Sequence, residues 1–278
     1  MKKLKITKMN GTGNDFIIID NRSGVLKGVS LPVLARTLCR RREAVGADGL
    51  ILIENSPIAD FRWRFFNSDG SEAEMCGNGG RCIARYAVEH GIAKSTHTFE
   101  ALGHIYKTSV GRDEVLLAMK DPSKHRKNVV LRVERMSLKT HFIDTGSPHV
   151  VVPITQLSKK YKALENIPVV ILGRRIRFHR EFEPEGTNVN FIERSDTNTI
   201  QMRTYERGVE AETLACGTGS VASALIASMI WKMKSPVTIL PASAVPLKVS
   251  FTVVEGNFSN VSLEGQAVAT FRGEIDVE

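Results

Sequence analysis

The chain has 278 residues, of which 42% are apolar and 24% charged, as in a globular protein with a substantial core. Its longest apolar stretch, near residues 221–231, is too short to cross a bilayer, and no apolar run of signal-peptide length follows the basic start of the chain. We therefore expect a cytoplasmic protein with no membrane partner. The net charge of +8 lies in short scattered clusters without a recognition motif, which argues against a nucleic-acid partner.

Strand patterns are frequent along the chain, and helix patterns are few. The predicted strands are residues 16–20, 50–53, 61–66, 115–119, 128–133, 149–153, 168–172, 188–193, 199–205 and 247–254. One helix is predicted from Leu31 to Leu38 with Ser30 as its N-cap, one after Cys76 up to Gly91, and one over 219–233, which should be buried on every side. Regular alternation of strand and helix is absent, so the pattern favours an α+β fold over a doubly wound one.

One order of motifs occurs twice in the chain. Residues 71–79, with Glu74 among them, and residues 210–219 both place acidic residues and Ala ahead of Cys-Gly-x-Gly and a helical pattern. Upstream of each copy, a short polar segment (13–16 and 146–149) precedes an apolar strand. The duplication predicts two domains, residues 1–120 completed by a returning C-terminal strand (265–278), and residues 121–264.

The four cysteines, Cys39, Cys76, Cys82 and Cys216, form no Cys-x-x-Cys pair and match no zinc spacing, so no metal site is predicted. Cys39 and Cys82 fall on apolar helix faces and are interpreted as packing residues. Cys76 and Cys216 each stand at the start of a glycine-rich helix, where free N–H groups bind an anion and the helix dipole stabilises a thiolate. A dithiol redox pair is an alternative, although its usual local motif is absent.

Two such helix ends facing each other would suit the inversion of a carbon centre. One thiolate would remove the α-proton while the other thiol delivered a proton to the opposite face. Backbone N–H groups would stabilise the charge that builds on the substrate carboxylate. Those groups belong to Gly77, Asn78, Gly217 and Thr218. The sequence therefore predicts an amino-acid epimerase or racemase that needs no cofactor.

Five segments, in the same order along the chain, resemble the diaminopimelate epimerase family: residues 8–16, 67–72, 75–82, 186–191 and 205–219. The resemblance implies two pseudo-symmetric domains, each a mostly antiparallel sheet curled around a central helix, with the active site between them. It also implies interconversion of LL- and meso-diaminopimelate without pyridoxal phosphate or metal, on the route to lysine and peptidoglycan, by a homodimer.

The same resemblance assigns roles to individual residues. Cys76 and Cys216 correspond to the catalytic thiols, and the pairs Gly77-Asn78 and Gly217-Thr218 to the carboxylate-binding positions. The other substrate-binding positions are Asn14, Asn67, Asn188, Glu206 and Arg207. The substrate has a second amino-acid head, whose carboxylate suits the forked guanidinium of Arg207 and whose ammonium suits Glu206. His149 and Ser147 are predicted to support the site, His149 through thiol deprotonation.

The chain departs from the family pattern at three places. Ser147 stands where the family commonly has Asn, so a hydroxyl replaces an amide. Gln266 follows Gly265 where Pro is usual, and Asn10 replaces a usual His. Two other functions therefore stay open: a cofactor-independent racemase or epimerase of another amino acid, as in proline-racemase-like relatives, and a basic binding protein on the same scaffold.

Overall fold

The computed structural model describes residues 2–73, 75–157 and 160–277, so Glu74 of the first repeat lies outside the described residues. The chain divides into two compact units, Met1–Ala118 together with Gly265–Glu278, and Met119–Glu264. Within the described ranges, no helix combines the length and the apolar character needed to span a bilayer.

The first unit is a mostly antiparallel sheet with two helices. Its strands are β1 (Lys2–Gly11), β2 (Asn14–Asp20), β3 (Gly49–Glu54), β4 (Phe61–Asn67), β5 (Glu72–Ala73), β6 (Thr96–Ala101), β7 (His104–Val110), β8 (Glu114–Ala118) and β18 (Val268–Val277), and its helices are α1 (Leu31–Leu38) and α2 (Gly77–Glu89). The strands pair in the order β18-β1-β2-β3-β4-β6-β7-β8, with β5 also on β4. Only the pairs β2–β3 and β4–β6 among these are parallel. Helix α2 packs against β1, β2, β3, β7, β8 and β18, so the sheet curls around it.

The second unit has the same organisation. Its strands are β9 (Lys124–Val133), β10 (Met136–Asp144), β11 (Pro148–Pro153), β12 (Asn188–Arg194), β13 (Thr199–Glu206), β14 (Ala211–Thr213), β15 (Val237–Leu240), β16 (Leu247–Val254) and β17 (Asn257–Gln266), and its helices are α3 (Val169–Arg177) and α4 (Gly217–Trp231). Short 3-10 helices cover Ile154–Gln156, Leu164–Asn166 and Arg180–Phe182. The strand order is β9-β10-β11-β12-β13-β15-β16-β17, with β14 on β13 and with β11–β12 and β13–β15 parallel.

Every described strand and α-helix of one unit thus has a counterpart in the other. Strands β1–β8 correspond to β10–β17, β18 corresponds to β9, and the helices α1 and α2 correspond to α3 and α4. The predicted α+β fold, with a curled sheet around a central helix in each half, is confirmed. The last strand, for which the sequence predicted a return to the first half, pairs antiparallel with β1 from Val277 opposite Lys2 onward.

The central helix of the second unit is deeply buried because of its amino-acid composition. From Gly217 to Ala227, every residue of α4 except Thr218 is buried, because small and apolar side chains face all sides. The sequence predicted complete burial to residue 233, but the last turn, residues 228–231, is only half-buried. The helix ends at Trp231 because Lys232 adopts a left-handed conformation (φ 58°).

The predicted strand over 168–172 is wrong, because these residues begin helix α3. Val169, Leu172 and Ile176 point inward at helical spacing, while Val170 and Ile171 are 49% and 56% exposed. Arginines in the last turn favour the helix through its dipole. The β-branched run Val169-Val170-Ile171 favours a strand, so the helical spacing of the buried residues was not recognised from the sequence. Ser30 is the N-cap residue of α1, as predicted, but its side chain makes no capping hydrogen bond.

Candidate active site

Both predicted catalytic cysteines are the N-cap residues of the central helices. Cys76 precedes α2 with φ −130° and ψ 117°, and Cys216 precedes α4 with φ −124° and ψ 116°. In each case the cysteine carbonyl accepts the first helical hydrogen bond, from Gly80 N–H (2.8 Å) and from Ser220 N–H (2.9 Å). The two thiols therefore have the same local backbone geometry, at helix ends where the first N–H groups have no partner within the helix itself.

The short strands leading to the cysteines are held by matching ion pairs. Arg64 on β4 binds Glu72 through two hydrogen bonds of 2.7 and 2.9 Å, and Arg203 on β13 binds Glu212 through two of 2.7 Å. Arg203 also donates to three backbone carbonyls of residues 164–167, each at 3.0 Å. Forked arginine–carboxylate pairs are among the stronger polar contacts, so they fix the approach to each thiol.

In the first unit, a hydrogen-bonded chain links two predicted substrate-binding residues. Arg81 donates to Oδ1 of Asn78 (2.9 Å), Asn78 Nδ2 donates to Oδ1 of Asn14, and Asn14 Nδ2 donates to Oδ2 of Asp48 (3.0 Å). A guanidinium only donates and a carboxylate only accepts, so both amides have one orientation. The structure brings Asn14 and Asn78 together, whereas Asn67 bonds within its own turn, to Ser71 Oγ (3.0 Å).

In the second unit, a buried network leads to the Cys216 sulfur. Thr204 Oγ1 donates to Oδ1 of Asn190, and Asn190 Nδ2 contacts Nδ1 of His149, both at 3.0 Å. His149 Nε2 lies 3.0 Å from Oγ1 of Thr218, which lies 3.6 Å from Sγ of Cys216. Because the Asn190 amide donates to Nδ1, His149 carries its proton on Nε2 and donates it onward.

Hydrogen bonds at both ring nitrogens hold His149 in place. The ring is fully buried, and this burial, helped by the positive charge of Arg207, lowers its pKa to about 3. His149 is neutral near pH 7, and in this arrangement its one acceptor nitrogen is occupied by Asn190. The predicted role of His149 in thiol deprotonation stays a prediction. Ser147 Oγ lies 3.0 Å from His149 Nε2 and 3.3 Å from Thr218 Oγ1, so both supporting residues belong to the same network.

Gly219 allows the Asn190 amide to reach the start of α4. A Cβ atom at this position would lie 2.5 Å from Oδ1 of Asn190 and 3.2 Å from Sγ of Cys216. At the corresponding Gly79 of α2, the three atoms nearest to a Cβ atom would all be apolar, the nearest being Ile51 Cδ1 at 3.2 Å. The two helix ends thus have similar backbone geometry but differ in the side chains that pack behind them.

The remaining predicted residues cluster where β12 and β13 meet. Asn188 Nδ2 donates to the Pro148 carbonyl (3.0 Å), and its Oδ1 accepts the backbone N–H of Arg207 (2.8 Å). Glu206 Oε2 accepts the hydroxyl of Thr213 (2.8 Å). The Asn188 amide is therefore oriented by the backbone on both sides, beside the two charged residues that end the β13 hairpin.

No group of three or more His, Cys, Asp or Glu side chains in residues 2–73, 75–157 and 160–277 is arranged to hold a metal ion. A cavity of about 590 Å³ lies at the far end of α4, lined by Met229, Lys232, Phe251 and their neighbours. None of the predicted site residues lines it, so we do not assign the chemistry to this cavity.

Comparison with known proteins decides the family. The sequence model described as diaminopimelate epimerase matches residues 6–125 and 141–263. The chain belongs to the diaminopimelate epimerase family. Proteins named diaminopimelate epimerase are 43% identical to it in Aquifex aeolicus, over 99% of both chains, and 41% identical in a Hydrogenobaculum species, over 98% of this chain and 99% of the relative. The resemblance predicted from sequence motifs is thereby confirmed.

Solved structures with much lower sequence identity than these relatives share the fold of this diaminopimelate epimerase family member. A PhzF-family phenazine biosynthesis protein of Bacillus anthracis superimposes with a TM-score of 0.74 at 17% identity, covering both chains completely. A probable proline racemase of Agrobacterium radiobacter gives a TM-score of 0.72 at 15% identity, covering 99% of this chain and 93% of the other. These likenesses concern the architecture alone.

Several residues that form hydrogen bonds with the predicted site residues were not predicted from the sequence. Asn190 could have been found, because it follows Asn188 at the two-residue spacing of one strand face. Arg81 stands one helical turn after Gly77, which was a weaker signal. Asp48 and Thr204 carried none, since only the folded chain brings them to Asn14 and Asn190.

Proposed function

We propose that the protein is a diaminopimelate epimerase, which interconverts LL- and meso-2,6-diaminopimelate by proton transfer through Cys76 and Cys216, without a cofactor. The observation that carries the proposal is the matched N-cap geometry of the two cysteines on corresponding central helices. The relatives named diaminopimelate epimerase support the substrate. The reaction would supply precursors for lysine and peptidoglycan.

The proposed reaction uses two acid/base groups on opposite faces of one carbon. The thiolate of one cysteine takes the proton from the α-carbon, and the thiol of the other gives its proton to the opposite face. Negative charge passes from the first sulfur to the substrate and then to the second sulfur, so the charge is balanced at each step. Helix N–H groups binding the α-carboxylate stabilise the intermediate charge, each typically by a few kcal/mol.

A second head distinguishes this substrate from simple amino acids. We assign its ammonium to Glu206, the last residue of β13, and its carboxylate to Arg207, the residue that follows it. Asn14, Asn67 and Asn188 complete the proposed binding positions, with amide orientations set by the contacts described above. Ser147 forms hydrogen bonds with His149 and Thr218, so we assign it to the network that positions Cys216.

The experiment is deuterium incorporation in heavy water with LL-diaminopimelate, followed by mass spectrometry and by the appearance of the meso isomer. Cys76→Ala and Cys216→Ala should each abolish epimerisation. Cys39→Ala and Cys82→Ala should retain it, since burial raises the pKa of each of these thiols to about 12 and leaves them protonated. Full activity in either of the first two variants would refute the roles of the thiols.

A panel of single-headed amino acids, proline among them, tests the alternative substrate. Exchange with one of these and none with diaminopimelate would favour a racemase of another amino acid. No exchange with any would favour the binding protein. We expect exchange with diaminopimelate because the two charged residues at the end of β13 suit a substrate with two zwitterionic heads.

We further propose that the enzyme is a homodimer that acts in the cytosol. Strand β18 exposes Val268 (51%) and Phe271 (49%), and exposed apolar side chains of this kind suit an interface. Cytosolic conditions would keep both thiols reduced. Analytical ultracentrifugation should give twice the chain mass, and Phe271→Asp should shift it toward the monomer; a wild-type monomer would contradict the proposal.

A further inference from the structure

The last turn of α4 is apolar but only half-buried. Met229, Ile230 and Trp231 pack against the core of the second unit, yet each keeps part of its surface exposed. Two open cavities adjoin this turn, one of about 590 Å³ and one of about 350 Å³, and both are lined by Lys127 and Met229. Sites that bind small molecules usually measure about 300–1,000 Å³, so the larger cavity has room for one.

The floor of the larger cavity is apolar. It is formed by Met229 and by three residues that are themselves largely buried, Met233, Phe251 and Phe258. Phe251 of β16 and Phe258 of β17 pack edge to face, with their ring centroids 5.4 Å apart. Methionine side chains are flexible and polarisable, so they adapt to apolar groups of different shapes. This apolar floor could therefore bury the aliphatic or aromatic body of a ligand.

The rim of the same cavity is basic. Lys232 and Lys234 flank the buried Met233 and are both exposed, and Lys127 of β9 is the third exposed lysine that lines the cavity. None of the described lining residues is Asp or Glu. Within the described part of the chain, no carboxylate forms an ion pair with any of these three lysines. The carbonyl end of α4 carries only about half a negative charge, so it does not balance the three ammonium groups of this basic rim.

Two acidic residues in this part of the second unit do not cancel the charge of the basic rim. Glu255 lies in the exposed turn between β16 and β17 and does not line the cavity. Glu181 is paired with Arg126, the residue before Lys127, with 2.7 Å between Nη1 and Oε1. Because positive charge in a cleft attracts anions, the cavity favours an anionic ligand over a neutral or cationic one.

We propose that this cavity binds a small amphipathic carboxylate, whose charged group contacts the basic rim and whose aliphatic or aromatic body packs on the apolar floor. The site is separate from the proposed active site. Cys216 precedes the first turn of α4 and the cavity adjoins its last turn, and a helix of 15 residues is about 22 Å long. The inference therefore goes beyond the proposed function, because a ligand in this cavity would not reach the thiol.

The test is isothermal titration calorimetry of the full chain with sodium decanoate, kept well below the concentration at which it forms micelles. Decyltrimethylammonium, which has an alkyl chain of the same length and the opposite charge, is the matched ligand. Decanoate should bind at one site per chain and about tenfold or more tightly than the cation, because three exposed ion pairs contribute together. Added salt should weaken its binding. Equal affinities for the two ligands, or no binding of decanoate, would overturn the proposal.

Val253→Glu and Val254→Glu are the matched pair of variants. The two valines are adjacent on β16 and similarly exposed (52% and 57%), but only Val253 lines the cavity. Successive side chains of a strand point to opposite faces, so only Val253→Glu places a negative charge beside the bound carboxylate. It should weaken decanoate binding about twofold to fivefold, as should Lys127→Gln, whereas Val254→Glu should leave it unchanged. An equal effect of the two glutamates would contradict the assigned position.

A membrane surface could offer the same combination of negative charge and apolar chains. Sedimentation with vesicles that contain phosphatidylglycerol separates this source from a free carboxylate. Binding to such vesicles without binding of free decanoate would overturn the proposal in favour of a lipid surface. Calorimetry needs no diaminopimelate, so inactivity toward that substrate would count against the proposed function alone.

Discussion

Replacing Gly219 by alanine would place a methyl group 2.5 Å from Oδ1 of Asn190. Carbon and oxygen atoms that are not bonded settle about 1 Å further apart, so the Asn190 side chain must move by a comparable distance. That amide holds Thr204 and His149 through hydrogen bonds of 3.0 Å each. The displacement would break or weaken at least one of these buried bonds.

The expected loss of kcat follows from the free energy of that hydrogen bond. A buried polar group left without its partner costs about 1–3 kcal/mol, and about 1.4 kcal/mol corresponds to a tenfold change in rate. We therefore expect kcat of Gly219→Ala to fall by about tenfold to a hundredfold, because the displaced network no longer holds Thr218 at Cys216. The unfolding free energy should fall by at most about 2 kcal/mol, since alanine favours the helix by up to about 1 kcal/mol relative to glycine and offsets part of the lost hydrogen bond.

The assay is the initial rate of meso-diaminopimelate formation at saturating substrate, with urea unfolding measured on the same preparations. Gly79→Ala is the matched control in α2, where the new methyl group meets the movable Cδ1 of Ile51 at 3.2 Å. It should keep most of its activity. A wild-type kcat in Gly219→Ala, or an equal loss in Gly79→Ala, would refute the reasoning.

Three further predictions concern the second unit. Thr218→Val removes the hydroxyl 3.6 Å from the Cys216 sulfur and should lower kcat about tenfold, whereas Thr218→Ser should not; equal losses would count against the contact. Arg203→Lys should lower the unfolding free energy in urea by about 2–4 kcal/mol, more than Arg64→Lys, because Arg203 also binds three carbonyls; a smaller loss than in Arg64→Lys would be inconsistent with this. Burial lowers the pKa of His149 from 6.5 to about 3, so the unfolded chain binds the extra proton and stability should fall as the pH drops from 6.5 toward 3. His149→Gln should remove this part of the pH dependence of urea unfolding, and an unaltered slope would contradict the assignment.

Local patterns account for what the sequence predicted well. Cys-Gly-x-Gly at the start of a helical period indicates a helix end within a few residues, and both cysteines are indeed N-caps. The apolar composition of α4 likewise predicts burial without knowledge of its neighbours. The α+β fold and the family were confirmed for the same reason, because ordered motifs and frequent strand patterns are properties of the chain itself.

Tertiary context explains the failures. Residues 168–172 carry β-branched side chains that favour a strand, but packing of Leu172 and Ile176 inward imposes a helix. The contact of Asp48 with Asn14 joins residues far apart in the chain, and no local pattern indicates it. The sequence pattern also did not indicate that Arg81 is fully buried in α2, at the position where α4 has the buried apolar Val221. The assignments of substrate-binding residues remain predictions.

The central claim is that two thiols, one for each face of the α-carbon, perform the inversion. The most direct test is the isotope content of both isomers at low conversion of LL-diaminopimelate in heavy water. With two acid/base groups, the meso product should carry deuterium at the inverted carbon while the recovered LL substrate carries none, because the group that removes the proton does not return a solvent deuteron to the same face. Deuterium in the recovered substrate at a level similar to the product would indicate a single base and would contradict the account.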